Sequence, residues 1–110
     1  MSNKKIQKPE RPTKHPDLLV EIRSAVKSGN YLDVVHAQQR STERSITRPE
    51  YEWVLMNGWH EKAKDAYQER YKNWNYAIRG KTVDDRELRV VVSFEENGLL
   101  IITLIDLEDL

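Results

Sequence analysis

The sequence predicts an α+β fold in which an N-terminal helix and a helical hairpin pack on one face of a three- to four-stranded antiparallel sheet. Up to Gly58, apolar residues recur with the helical period of about 3.6 residues, whereas after Gly58 they alternate with the strand period of about two. Helices followed by consecutive strands are typical of an α+β domain whose helices cover one face of the sheet. A length of 110 residues suits one domain with a modest core. We therefore expect a single domain over residues 16–110.

Residues 1–15 precede that domain and are expected to form a disordered basic arm. They contain Pro9, Pro12 and five basic residues against the single acidic residue Glu10. Such a composition buries too little apolar surface to offset the entropy lost on ordering. The other end is acidic, because residues 95–110 hold five carboxylates and no basic residue. The net charge of zero therefore hides two ends of opposite sign.

The first helix is predicted over residues 17–28, and Gly29 supplies its C-terminal stop. Its apolar residues fall on one stripe at the helical period: Leu18, Leu19, Ile22, Ala25 and Val26. A short extended piece is expected at 31–35, and a short helix at 36–44, which would form the first half of the hairpin.

The second half of the hairpin is predicted over residues 47–57. Thr47 can cap this helix, Glu50 can complete a capping box, and Pro49 stands in the first turn, where no N–H is needed. Tyr51, Val54 and Leu55 are expected to be buried, and Gly58 ends the helix.

Three strands are predicted from residue 73 onwards. Residues 73–81 and 87–94 alternate apolar and polar side chains, and residues 99–107 are almost continuously apolar, as in a central strand. The connections are turns at 82–85 and at 95–98, the second with Asn97-Gly98 at its tip. Residues 60–72 are ambiguous between a helix and a polar edge strand, and their charges favour the edge strand.

Several classes of protein are disfavoured by composition. The chain has no cysteine, which excludes disulfides, thiolate metal sites and cysteine nucleophiles. No apolar run approaches the roughly 18 residues of a membrane span, and the N-terminus lacks the apolar core of a signal peptide. His15, His36 and His60 show no metal-ligand spacing. We expect a cytoplasmic protein that binds no metal, no cofactor and no membrane.

The strongest candidate for chemistry is the column His36, Arg40 and Arg44. A spacing of four places all three on one face of a helix. An imidazole can move a proton near neutral pH, and guanidiniums can hold the charge that develops on a phosphodiester in the transition state. The alternative is a solvated helix face on which Glu43 and Glu50 pair with the arginines.

A second candidate is the stretch 67–81, in which aromatic and basic residues interleave as they do on nucleic-acid-binding surfaces. Arg79 and Lys81 are the residues that we expect to contact nucleic acid. Trp74, Tyr76 and Ile78 alternate as the inward face of a strand would, so we expect these three side chains to belong to the core.

Together, "HA--R--ER-IT" at 36–47, "W-YAI-GK--DDRELRVVVSF" at 74–94 and "LLIIT" at 99–103 resemble a bacterial family of unknown function numbered 4258. The resemblance implies two helices followed by a four-stranded antiparallel sheet. It also implies similarity to the barnase–EndoU–colicin–RelE group of small ribonuclease toxins, which cleave RNA without metal. His36, Arg40 and Arg44 match the family's histidine and two arginines. The last strand departs from the family pattern, because "TLIDLED" replaces an ending with tyrosine and proline.

Two functions follow as expectations. The first is a metal-independent endoribonuclease, the toxin of a toxin–antitoxin pair, with RNA as substrate and a small antitoxin as partner. The second is a non-catalytic module that binds a protein or a nucleic acid on the same fold.

Overall fold

The computed structural model describes residues 11–34 and 45–108, which form two α-helices and a six-stranded sheet. The helices are α1, Leu18–Ser28, and α2, Arg48–Asn57. The strands are β1, Tyr31–Asp33; β2, Trp59–His60; β3, Ala66–Gln68; β4, Asn73–Lys81; β5, Glu87–Glu95; and β6, Gly98–Asp106. A short 3-10 helix, Lys62–Lys64, separates β2 from β3.

Local signals position both helices as predicted. Helix α1 ends at Gly29, whose φ of 74° places it in the left-handed region that glycine enters without a steric penalty. At the start of α2, Thr47 Oγ1 accepts the Glu50 N–H at 3.3 Å, and Glu50 Oε1 accepts the Thr47 N–H at 2.8 Å. This is the expected capping box. Arg23 of α1 donates to the carbonyl oxygen of Gly58 at 2.9 Å and so ties the end of α2 to α1.

The sheet is larger than predicted and is mixed rather than antiparallel. Its order is β1-β6-β5-β4-β2, with β3 also paired to β4, and β1 runs parallel to β6. The prediction of three to four antiparallel strands was therefore wrong. The added strands β1, β2 and β3 have only two or three residues each, too few for an alternating pattern to be visible.

The ambiguous stretch 60–72 lies at the edge of the sheet but is not one continuous strand. Strands β2 and β3 both pair with β4, and the 3-10 helix between them interrupts this pairing. The turn between β5 and β6 spans residues 95–98 as predicted, but its tip is Glu96-Asn97 rather than Asn97-Gly98, because Glu95 pairs with Gly98.

One hydrophobic core lies between the helices and one face of the sheet. The even-numbered residues of β4 and β5 point into it, including Tyr76, Ile78 and Val90, together with Tyr51 and Val54 of α2. Trp74 is only partly buried at the margin of this core. The odd-numbered residues of β4 and β5 lie on the opposite face of the sheet, because successive side chains alternate.

The C-terminal part of the predicted arm, residues 11–15, packs against the sheet. Trp74 Nε1 donates to the carbonyl oxygen of Pro12 at 2.8 Å, and the His15 N–H donates to the Tyr76 hydroxyl at 2.9 Å. Lys14 Nζ lies 4.6 Å from the centre of the Trp74 ring. Residues 1–10 lie outside the described residues. Within the described chain, neither helix is long and apolar enough to cross a membrane.

Candidate functional site

The predicted column of His36, Arg40 and Arg44 belongs to residues 35–44, which lie outside the described residues. Both ends of this segment are defined. The Val34 N–H donates to the carbonyl oxygen of Ile101 at 3.1 Å, and the carbonyl oxygen of Ser45 accepts from Arg86 Nη1 at 3.1 Å. The segment therefore connects the end of β1 with the residues just before α2.

A tyrosine–carboxylate cluster lies beside these two ends. The Tyr51 hydroxyl donates to both carboxylate oxygens of Asp33, at 2.7 and 2.8 Å, and the Tyr31 hydroxyl donates to Glu52. Burial, and then the bond to Glu52, raise the pKa of Tyr31 to about 12. Burial and Asp33 raise the pKa of Tyr51 as well. Both hydroxyls therefore stay protonated at neutral pH and can act only as hydrogen-bond donors or weak acceptors.

Arg48 completes this cluster at the surface. Its guanidinium lies 3.6 Å from Asp33 and 5.4 Å from the centre of the Tyr31 ring, with 64% of its side chain exposed. Because each hydroxyl already donates its only proton to a carboxylate, it is the exposed guanidinium of Arg48, rather than a hydroxyl, that can meet an anionic oxygen from outside.

A second ionic cluster is centred on Arg86, which contacts Ser45 and Glu50 at the start of α2. Arg86 Nε donates to Asp106 at 2.8 Å, and Arg86 Nη1 lies 3.4 Å from Glu50. Hydrogen bonding to Asp106 raises the pKa of Arg86, which remains charged. Arg48 and Arg86 pair with Asp33, Glu50 and Asp106 near the ends of the segment, and Glu52, bound to the Tyr31 hydroxyl, is a fourth carboxylate there. The described surroundings of the segment are therefore acidic.

Arg79 lies in an ion-pair network on the sheet face opposite the helices. Its Nε donates to Glu87 at 2.6 Å, and its Nη1 donates to Glu61 at 3.1 Å. Arg89 stands directly opposite Arg79 in the sheet and binds both oxygens of Glu61, at 2.7 and 3.1 Å. Glu61 therefore separates two like charges, and the bonds from Arg89 lower its pKa. Arg79 has a clear structural role, and its charge is balanced.

Lys81 is placed differently. It is exposed at the end of β4, and its Nζ lies 3.6 Å from Asp85, whose side chain is 83% exposed. A contact of this kind between exposed groups is weak, about 0–1 kcal/mol, so the lysine can exchange Asp85 for another anion at little cost.

The structure also assembles a histidine–aspartate pair that the sequence analysis missed. His60 Nε2 lies 2.7 Å from Asp65 Oδ2, and the Asp65 side chain is only 1% exposed. Lys14 Nζ donates to the same oxygen at 2.9 Å, and the Ala77 N–H donates to Oδ1 at 3.0 Å. Because the carboxylate can only accept, it fixes the proton of neutral His60 on Nε2. The five-residue separation of this pair fits no helical spacing, so no pattern of neighbouring residues indicated it.

No group of three or more histidine, aspartate and glutamate side chains able to hold a metal ion is present in the ranges 11–34 and 45–108. A model of the family described as Domain of unknown function (DUF4258) matches residues 35–106, and the chain belongs to this family. No curated protein matches the sequence.

Proposed function

We propose that this DUF4258 chain is a metal-independent endoribonuclease whose reaction is carried by His36, Arg40 and Arg44. The observation that supports it is the exposed guanidinium of Arg48, close to the described ends of their segment. It lies 3.6 Å from Asp33, and so exposed a guanidinium can also contact a phosphate. The α+β architecture, with helices on one face of a sheet, is compatible with kinship to the barnase–EndoU–colicin–RelE group, and we include that kinship, with a toxin role, in the proposal.

In this proposal the RNA strand supplies its own nucleophile. His36 removes the proton of a 2′-hydroxyl, whose oxygen attacks phosphorus, or it protonates the departing 5′-oxygen. Arg40 and Arg44 stabilise the additional negative charge on the phosphorane. Lys81 and, more weakly, Arg79 hold flanking phosphates. Arg79 has the smaller share because Glu61 and Glu87 already neutralise it.

The test is RNA cleavage by the full chain in excess chelator. We expect the unaltered chain to cleave single-stranded RNA to 2′,3′-cyclic phosphate ends, and the His36→Ala variant to lose about 100-fold or more of that rate. Lys27→Ala serves as the control, because Lys27 is exposed on α1 and is not among the residues assigned to the reaction. Equal rates for His36→Ala and the unaltered chain would reject His36 as the proton carrier.

The acidic surroundings of the segment favour a second candidate, a non-catalytic binding module. The carboxylates of Asp33, Glu50, Glu52 and Asp106 lie around the ends of the segment, and in this second proposal Arg40 or Arg44 pairs with carboxylates there. In that case the arginines hold the fold together, and the partner is a protein such as a small antitoxin. Thermal unfolding distinguishes the two functions. Arg44→Ala would lower the melting temperature by several degrees if the arginine is structural and would leave it unchanged if the arginine only meets substrate.

A further inference from the structure

A groove of about 570 Å³ crosses the sheet face opposite the helices. It begins at Val34, where the chain leaves β1, and passes over Leu100 and Ile102 of β6 and Ser93 of β5. It continues over Asn75 of β4 and ends at Gln68 of β3 and Tyr71 in the turn that follows. From β1 to β3 it crosses four strand spacings, about 19 Å in all.

The floor of the groove offers side-chain amides with unused hydrogen-bonding capacity. Asn73 is fully used, since its Nδ2 donates to Ser93 and to the carbonyl oxygen of Phe94 and its Oδ1 accepts the Trp74 N–H. Among the described residues, by contrast, the amides of Gln68 and Asn75 make no hydrogen bond, and neither is a buried atom without a partner. Two amides that both donate and accept therefore face the groove.

An aromatic ring lines the far end of the groove, and the residues on either side of it in the chain are basic. Tyr71 is 70% exposed, and the Arg70 guanidinium lies 5.5 Å from the centre of its ring. Lys72 follows with a φ of 51°, in the left-handed region that closes the tight turn before β4. In the described part of the chain, Arg70 and Lys72 form no salt bridge. Their charges are available to an external anion, unlike that of Arg79.

We propose that this groove binds a single strand of RNA. Tyr71 stacks on one base, Gln68 and Asn75 hydrogen-bond to base edges, and Arg70 and Lys72 contact the phosphates beside the stacked base. Splayed bases on a sheet surface are a common mode of single-strand recognition, since edges and faces of the bases are then both exposed. A duplex hides those groups, and the phosphates on either side of a stacked base match cations that flank the stacking ring. Glu95 lines the same groove and weakens binding by repelling phosphate.

This proposal rests on the proposed function in one respect, because the groove begins at Val34, which directly precedes the segment of His36 in the chain. Binding itself does not depend on cleavage. The two claims can therefore fail separately.

The experiment measures fluorescence anisotropy of a labelled ten-nucleotide single-stranded RNA with the full-length His36→Ala chain, in which cleavage is removed. In that background, Tyr71→Ala is expected to weaken binding by roughly 5- to 100-fold, and Tyr71→Phe to retain most of it, since stacking is kept. Asn75→Ala is expected to weaken binding and to change the preference among bases. Lys72→Ala should reduce the slope of log affinity against log salt by about 0.7, whereas Lys27→Ala should not change it.

Glu95→Gln provides a variant that gains function, because removing this carboxylate is expected to tighten binding. Its folded state is checked by thermal unfolding, as is that of Asn75→Ala, which lies within β4. An affinity that is the same for Tyr71→Ala, Asn75→Ala and Lys27→Ala overturns the proposal. So does equal affinity for a duplex, or a dimer that buries Tyr71 and excludes RNA. If the unaltered chain binds RNA through Tyr71 but does not cleave it, the groove stands and the ribonuclease proposal fails.

Discussion

Replacing Glu61 by glutamine should be among the most damaging conservative changes in this chain. Its carboxylate accepts hydrogen bonds from Arg79 at 3.1 Å and from Arg89 at 2.7 and 3.1 Å, and its side chain is only 10% exposed. Glutamine keeps the shape but loses the charge that separates two guanidiniums standing opposite each other in β4 and β5. Arg89, whose side chain is 15% exposed, is left without a carboxylate partner among the described residues.

The expected cost follows from how much of the network is shielded from water. Removing one partner of a fully buried ion pair costs about 3–5 kcal/mol. Here Arg79 keeps Glu87 and is 31% exposed, so we expect about 2–3 kcal/mol of lost unfolding free energy. For a domain of this size that corresponds to a melting temperature lower by roughly 8–15 °C. The exposed pair of Arg11 and Glu69 supplies the control, and Glu69→Gln should cost less than about 0.5 kcal/mol.

The same network predicts how the difference in melting temperature between Glu61→Gln and the unaltered chain depends on pH. The bonds from Arg89 lower the pKa of Glu61 in the folded chain below its ordinary value of 4.5. The ionised carboxylate of Glu61 therefore stabilises the folded chain fully above pH 4.5. This stabilisation is lost as the pH falls through the lower pKa that Glu61 has in the folded chain. Calorimetric melts at pH 7 should separate Glu61→Gln from the unaltered chain, and the gap should close in acid. A melting temperature within 2 °C of the unaltered chain at pH 7 would refute the reasoning.

Three further predictions follow from single contacts. Gly58→Ala should destabilise the chain by about 3 kcal/mol in denaturant unfolding, because the added Cβ would lie 2.4 Å from the backbone oxygen of Arg79; an unchanged midpoint would contradict that packing. In an absorbance titration, Tyr31 should ionise only at a pH of about 12, and Glu52→Gln should lower that pH. Ionisation near pH 10 in the unaltered chain would show that the hydroxyl is solvated. Asp65→Asn should lower the free energy of unfolding by about 2–4 kcal/mol and weaken the packing of residues 11–15, since Lys14 loses its partner. Hydrogen exchange at residues 11–15 tests this, and unchanged protection would count against the contact.

The elements that the sequence predicted correctly are those encoded by neighbouring residues. Thr47, Pro49 and Glu50 start α2, and Gly29 ends α1, because capping acts within four residues of a helix end. The long strands β4 to β6 follow from alternation and from an apolar run, each visible in about nine residues. Family membership was likewise predicted from motifs in the sequence and is confirmed by the match over residues 35–106.

Arg79 shows where local pattern stops being informative. Its alternation in β4 predicted that it faces away from the core, which is how it lies. The pattern gave no indication of Glu61, which approaches from the end of β2, or of Arg89 across the sheet. The nucleic-acid role predicted for Arg79 and Lys81, and that of the His36 column, stay predictions.

Sequence by itself determined the class of fold, the core-facing residues of the long strands and the ends of both described helices, because these depend on contacts between residues close along the chain. Only the tertiary structure decided the parallel pairing of β1 with β6, the docking of residues 11–15, the pair of His60 and buried Asp65, and the groove that ends at Tyr71. Each of these features joins short segments that have too few residues to show a helical or strand pattern of hydrophobic residues. Their partners are set by which strands become neighbours in the sheet, and that is a property of the whole chain.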